Sequence, residues 1–119
     1  MKNYTFIKPD PTLQNNLMAF GFECGTGWYP IIEELFDKIQ ELVNNNSKYS
    51  ELEVVLVKEK YGELRVYLNW CYEKIENLID EYTEKSLHIC ESCGSSENAF
   101  SREKHHWFKT LCNNCYEEW

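Results

Sequence analysis

The chain has 119 residues and a formal net charge of −8, with 12 lysines and arginines against 20 aspartates and glutamates. This length fits one ordinary domain, or a small domain with a metal-stabilised extension. The acidic balance disfavours a protein that grips duplex DNA through many phosphate contacts. The sequence shows no signal peptide and no apolar run of membrane-spanning length. We therefore expect a cytoplasmic protein with reduced thiols and no membrane association.

The first part of the chain predicts an arm, a short helix and a loop. Tyr4 and Phe6 favour an extended arm or a short strand. Asp10 and Pro11 fit the start of a helix that Gly21 would end. The following stretch, GFECGTGWYP, carries three glycines and predicts a loop.

A long amphipathic helix is predicted over residues 30–44, because apolar side chains recur there at helical spacing. They are Ile31, Ile32, Leu35, Phe36, Ile39, Leu42 and Val43. Two strands follow, an apolar run at residues 54–57 and an alternating run at residues 64–69, around the turn Tyr61-Gly62-Glu63. This pattern is typical of a β-hairpin.

A second amphipathic helix is predicted from about Trp70 to Lys85, with Asn69 as its cap. Residues 1–87 should therefore form an α+β body, in which amphipathic helices pack on a small antiparallel β-hairpin sheet. Two strands alone make a weak sheet. We expect the N-terminal arm, or a second copy of the chain in a homo-oligomer, to extend it.

Four cysteines near the C-terminus form a C-x2-C pair, a gap of eighteen residues and a second C-x2-C pair. This spacing is typical of a structural zinc site with ligands Cys90, Cys93, Cys112 and Cys115. Two disulfides, or four unrelated buried thiols, are the alternatives. Residues 88–119 should form a zinc-ribbon-like module that packs on the body, since no flexible spacer precedes it. Cys24 and Cys71 are expected to be small buried apolar residues.

The glycine loop allows two interpretations. It leads into a helix N-terminus, where free N–H groups favour an anion, or a thiolate at Cys24. Alternatively, its glycines permit a tight backbone and Trp28 fills the core. The second interpretation is favoured, because no histidine is tied to Cys24 by sequence.

The hairpin KEKYGELR could bind a ligand through Lys58, Lys60, Arg65 and Tyr61, with Trp28 approaching from the glycine loop. Cations beside aromatic rings can hold a phosphate and stack a base. We expect Arg65 to face Glu23 or an anion that displaces it. In the alternative, these charges protect an exposed strand edge and pair with neighbouring acids such as Glu59, and this interpretation is favoured because the acids nearly cancel the bases.

A third candidate surface lies between the two cysteine pairs, in SREKHHWFK. His105, His106 and Trp107 could contact a partner. Paired histidines near C-x2-C pairs also occur in metal nucleases, but such a site needs a further ligand downstream. The thirteen residues after His106 contain no histidine. The nuclease interpretation is therefore rejected.

Three stretches follow one another between residues 20 and 115: FGFECGTGWYP, VKEKYGELRVY and CESCG…HHWFKTLCNNC. In this order they resemble a family of small proteins encoded by bacteriophages and prophages, with a C-terminal four-cysteine zinc module. The resemblance implies a bacterial host cell as the setting, and proteins of this kind often bind and redirect a host component, including antiviral defence. It implies no catalytic residues.

We therefore expect a non-enzymatic phage accessory protein that engages a host component, with zinc as a structural ion. The first alternative is an oligomer that sequesters a small anionic signal molecule of nucleotide type. The second is a zinc-ribbon protein that binds nucleic acid, which the negative charge disfavours. An enzyme is the least favoured class, because no catalytic set is assembled in the sequence.

Overall fold

In a computed structural model of the protein, which describes residues 3–119, three α-helices accompany two antiparallel two-stranded sheets. In chain order the elements are α1 (Tyr29–Asn45), β1 (Val54–Lys60), β2 (Glu63–Leu68), α2 (Glu73–Ser86), β3 (Phe100–Lys104), β4 (Trp107–Leu111) and α3 (Asn113–Glu118). The predicted α+β class is confirmed, and the four C-terminal cysteines lie together at one site. No helix within residues 3–119 is both long enough and apolar enough to cross a bilayer.

Helix α1 supplies much of the main core. Pro30 lies in its first turn, where a missing N–H costs nothing. Its buried face consists of Ile31, Ile32, Leu35, Phe36 and Ile39. The next helix packs beside it, and the Tyr82 hydroxyl of α2 donates a 2.8 Å hydrogen bond to Glu34 of α1. The amphipathic pattern therefore positions both helices over the first hairpin.

The first hairpin, β1 and β2, turns through two residues. Lys60 pairs with Glu63, which leaves Tyr61 and Gly62 as the loop. Both have positive φ, 54° and 82°, as a type I′ turn requires. Glycine suits the second position because a side chain resists that conformation.

Both edges of this hairpin are capped from within the same chain. On the β1 edge, Glu23 forms a parallel bridge with Lys58. On the β2 edge, side chains of α2 take the place of a strand. Ser86 accepts the Leu64 N–H at 3.0 Å, and Thr83 donates to the Leu64 carbonyl at 3.0 Å.

The predicted extension of the sheet by the N-terminal arm is wrong for the residues that the structure describes. Residues 3–8 contain no strand, although the Phe6 carbonyl accepts the Val54 N–H at 3.0 Å. Met1 and Lys2 of the predicted arm lie outside the described residues. Tyr4 and Phe6 instead contribute buried rings to the core.

The helix predicted between Asp10 and Gly21 is also wrong. The Asp10 carboxylate accepts hydrogen bonds from the backbone N–H groups of Thr12 and Asn15, both at 2.9 Å. Leu13 adopts a positive φ of 63°. An aspartate that bonds to nearby backbone in this way competes with helix formation. One short 3-10 turn, Met18–Phe20, forms instead.

The second helix starts three residues later than predicted, at Glu73. Asn69 does not cap it. Its side chain accepts the Glu53 N–H at 3.0 Å and donates to the Glu51 carbonyl at 2.9 Å, which fastens the end of the hairpin. Cys71 consequently lies outside the helix and is exposed, contrary to prediction. Cys24 is half-buried against the core.

Candidate metal centre and adjoining cleft

The four predicted zinc ligands converge on one point. Their sulfur atoms all lie within 4.8 Å of one another, and the Sγ atoms of Cys93 and Cys112 are 3.7 Å apart. A tetrahedral Zn²⁺ with Zn–S bonds of about 2.3 Å would hold its sulfurs about 3.8 Å apart. Among residues 3–119, these cysteines form the one group with metal-ligand geometry. The cluster can therefore hold a metal ion, and no histidine belongs to it.

The cysteines of the cluster differ in the pKa of their thiols. Burial opposes ionisation of Cys90, but backbone hydrogen bonds at Cys112, Cys93 and Ser92 outweigh it and lower its pKa to about 6. Burial and hydrogen bonds to the other cluster sulfurs raise the pKa of Cys115. A bound metal must displace the remaining protons, so binding would release them and would weaken in acid.

Arg102 holds the second cysteine pair in place, a role that the sequence pattern did not reveal. Its guanidinium donates to the Leu111 carbonyl at 3.2 Å, to the Asn98 carbonyl at 3.1 Å and to Asn113 Oδ1 at 2.7 Å. It also lies 4.8 Å from the Tyr116 ring centroid. Arg102 is therefore structural.

The glycine loop packs against the first cysteine pair. Gly27 donates its N–H to the Glu91 carbonyl at 3.0 Å, and the Trp28 indole donates to the Ile89 carbonyl at 2.8 Å. A methyl group on Gly25 or Gly27 would overlap backbone atoms of Cys90 or Glu91. The glycines thus permit backbone contact between the body and the metal-binding segment. Of our two interpretations, the structure favours this packing role.

Trp28 is fully buried, at 0% exposure. The prediction that it contacts a ligand is therefore wrong. Cys24, in the same loop, lies near two acids. Burial, with the carboxylates of Glu91 and Glu59, raises the pKa of Cys24 to about 11. Burial, with Glu59, likewise raises the pKa of Glu91 to about 7. Cys24 is thus a protonated thiol at neutral pH, which does not favour a nucleophilic role.

Arg65 does not face the glycine loop. Its guanidinium pairs with Glu63 on the same strand, so the predicted Arg65–Glu23 contact is wrong. Glu59, the other predicted partner, instead accepts the Gly62 N–H at 2.7 Å. The Arg65 Nε is buried with no acceptor among the described residues. The glycine loop does reach the hairpin, as predicted, but through the backbone of Glu23.

Two hairpin turns meet at the surface of the molecule. The second hairpin, β3 and β4, also turns through two residues, His105 and His106, whose φ angles are 53° and 65°. The buried Thr110 hydroxyl of β4 donates a 2.6 Å hydrogen bond to the Gly62 carbonyl. This bond fastens the second hairpin to the turn of the first.

A cleft of about 380 Å³ lies between the two turns. It is lined by Glu59, Lys60 and Tyr61 from the first hairpin and by His106, Trp107 and Phe108 from the second. Tyr61 is 70% exposed and Trp107 is 63% exposed. The sequence had assigned Lys60 and Tyr61 to one candidate surface and His106 and Trp107 to another. The structure joins them.

Other predicted residues lie outside the cleft lining. Lys58 and Arg65 are cross-strand partners in the first hairpin, and neither lines the cleft. His105 occupies the exposed tip of the second hairpin. Phe108, which we had not singled out, adds a third ring, and its place after Trp107 in an aromatic pair was the available signal.

Comparisons of this chain with protein-family models, with curated proteins and with solved structures find no match.

Proposed function

We propose that the protein is a non-enzymatic binding protein that holds a structural zinc ion and engages its target through the cleft between the hairpin turns. In keeping with the family resemblance, the target is a component of a bacterial host cell, the setting is the host cytoplasm, and the biological role is interference with host defence. The observation that carries the proposal is the convergence of Tyr61 and Trp107, two exposed rings from separate hairpins, on one cleft.

Zinc is the metal that the ligands favour. Four thiolates in a tetrahedron suit Zn²⁺ and leave no coordination position open for a substrate. Two of the four cysteines, Cys90 and Cys112, are buried in the small core of residues 88–119 together with Ala99 and Leu111. The ion would supply folding free energy to this segment. Elemental analysis of the purified protein should find one zinc per chain.

The cleft has the composition of a binding surface. Aromatic side chains carry a large share of binding energy in many interfaces, because they bury much apolar area while losing little conformational freedom. Trp107 and Tyr61 are exposed without filling the core, so core packing does not explain them. Phe108 extends the same surface at 37% exposure.

A zinc-ribbon protein that binds nucleic acid through phosphate contacts is less well supported than the function proposed above. The second hairpin does carry Arg102, Lys104 and Lys109 against one acid, Glu103. However, Arg102 is bonded to backbone near the metal centre, and Lys104 donates to the Trp119 carbonyl at 2.8 Å. Lys109 lies 5.3 Å from the Trp119 ring centroid. These cations are engaged within the module.

Capture of the target from host cells tests the proposal. Affinity-tagged protein would be recovered from the bacterial host, and bound proteins and small molecules would be identified by mass spectrometry. We expect a specific component to be retained by the native protein and lost from Trp107→Ala. The matched control is Trp70→Ala, which removes a similarly exposed tryptophan from outside the cleft.

If both variants retained the same component, the cleft would not be the surface that binds the target. Chemical conversion of the captured component by the purified protein would contradict the non-enzymatic assignment.

A further inference from the structure

The rings in the cleft are free to stack on a ligand. Within residues 3–119, Trp107 makes no ring contact and no side-chain hydrogen bond. Tyr61 has the Lys60 ammonium 5.8 Å from its ring centroid, and no aromatic ring among the described residues packs against it. Flat aromatic faces at two sides of an open cleft suit a flat ring system, since stacking needs only a π-face.

The polar groups of the cleft suit a small anion attached to such a ring. Lys60 supplies one ammonium, and the His106 imidazole supplies a ring nitrogen that can donate a hydrogen bond. Glu59 also lines the cleft, and one of its two carboxylate oxygens accepts the Gly62 N–H. This acid, together with the net charge of −8, opposes a ligand that carries many negative charges.

The size of the cleft sets a further limit. Its volume, about 380 Å³, falls in the range of small-molecule sites. The cleft is open on the solvent side. One ring system with a sugar and a phosphate would fit, whereas a duplex presents no exposed base faces.

We propose that the cleft binds a nucleobase that carries a phosphate group, with Trp107 and Tyr61 stacking on the base and Lys60 contacting the phosphate. This inference rests on the proposed function and names the chemical class of the target. The shared chemistry occurs in free nucleotides and in single-stranded nucleic acid.

The test is isothermal titration calorimetry on the zinc-loaded full chain. The probes are AMP, adenosine, ribose 5-phosphate and a thymidylate tetramer. We expect AMP to bind more tightly than adenosine, and ribose 5-phosphate not to bind measurably. Tighter binding of AMP than of the tetramer would identify a free nucleotide as the source, and the reverse order would identify a single strand.

The variants separate the two parts of the site. Trp107→Ala and Tyr61→Ala should each weaken AMP binding by about tenfold or more, in line with the loss of one stacking ring. Trp107→Phe, which keeps a ring, should restore most of the affinity. Lys60→Ala should weaken the binding of AMP but not that of adenosine. Trp70→Ala should change neither.

Two results would overturn the inference. One is equal binding of ribose 5-phosphate and AMP, since it would leave the rings without a role. The other is failure of both AMP and the tetramer to bind. If Trp107-dependent capture of a host protein persisted in the second case, the proposed function would stand and only the ligand class would fall. If that capture were also independent of Trp107, both would fall.

Discussion

Gly27 lies at the contact between the body and the metal-binding segment, and its missing side chain makes that contact possible. A Cβ there would overlap the Cys90 carbonyl oxygen and the backbone of Glu91. Neither backbone segment can move freely, because Cys90 is a predicted metal ligand and the adjacent Trp28 is fully buried. The requirement is steric at this position, since the φ of Gly27 is not positive.

We predict that Gly27→Ala destabilises the protein by about 1–3 kcal/mol or more, the range for forced overpacking. The matched control is Gly21→Ala. Gly21 has a φ of 73°, and a methyl group added there would meet no neighbouring atom within 4 Å, so its substitution costs only backbone strain. Urea denaturation should rank Gly27→Ala as the less stable variant. The reverse order would mean that the glycine loop can withdraw from the cysteine pair at little cost.

Glu91 contributes an electrostatic cost in the folded state. It is 6% exposed, and burial together with Glu59 raises its pKa to about 7. Between its ordinary pKa and this raised value, the unfolded chain is ionised while the folded chain keeps the proton. Below about pH 4.5 Glu91 is protonated in both states and does not reduce the free energy of unfolding. As the pH rises towards 7, the cost of burying its charge lowers the free energy of unfolding.

We predict that Glu91→Gln raises the melting temperature at pH 8 and changes it little near pH 4.5. The amide keeps an acceptor for the Thr110 N–H, which lies 3.4 Å from the carboxylate. Zinc occupancy should be measured at both pH values, because thiol protonation also releases metal in acid. An equal effect at both pH values with equal occupancy would show that the charge of Glu91 has no part in it.

At the scale of elements, the cluster of four cysteines organises only part of the chain. Residues 88–119 have a small core of their own, made by Cys90, Ala99, Leu111 and Cys112. Two of these four are metal ligands, so apolar burial alone is a weak source of stability there. Helix α1, in contrast, has five fully or nearly fully buried apolar residues in the main core.

We predict that Cys112→Ala disorders residues 88–119 and leaves the centre of α1 folded. Hydrogen exchange should show lost protection across β3, β4 and α3, and intact protection around Leu35 and Ile39. The start of α1 should loosen as well, because the Trp28 indole would lose its acceptor at Ile89. Cys71→Ala, which removes an exposed thiol outside the cluster, is the control. Full protection of the C-terminal segment in Cys112→Ala would show that the metal is not needed for its fold.

The elements that the sequence predicted well are those with a local signal. The apolar stripe predicted α1 to within one residue at each end, and the cysteine spacing predicted the cluster. The helix after Asp10 failed because the side chain of that aspartate bonds to nearby backbone, which no apolar pattern records. Contacts between distant segments, such as Gly27 with Glu91 and Thr110 with Gly62, have no local signal. The cleft depends on these contacts and so could not be predicted.

At the scale of the whole molecule, two contacts within residues 3–119 hold the body against the metal-binding module. One is the glycine loop against the first cysteine pair, and the other is the Thr110–Gly62 hydrogen bond between the hairpins.

All six cysteines are free thiols in the structure. We predict that thiol counting after denaturation and metal removal finds six free cysteines in protein from the reducing cytoplasm. A stable disulfide would contradict the proposed cytoplasmic setting.

The Thr110–Gly62 bond should set the shape of the cleft, because it fixes the turn that carries Tyr61 against the strand that carries Trp107. Thr110→Val keeps the shape of the side chain and removes the hydroxyl, which leaves the Gly62 carbonyl without this donor. We expect a loss of about 1–3 kcal/mol in the free energy of unfolding. We also expect weaker binding at the cleft, although every lining residue is retained. Thr83→Val is the control, since it removes a similar hydroxyl bond, to Leu64, away from the cleft. Calorimetry and the NMR shift of the Trp107 indole should show a change in the first variant only. If both variants lose stability and neither alters the cleft, the packing of the glycine loop and the metal alone orient the two hairpins.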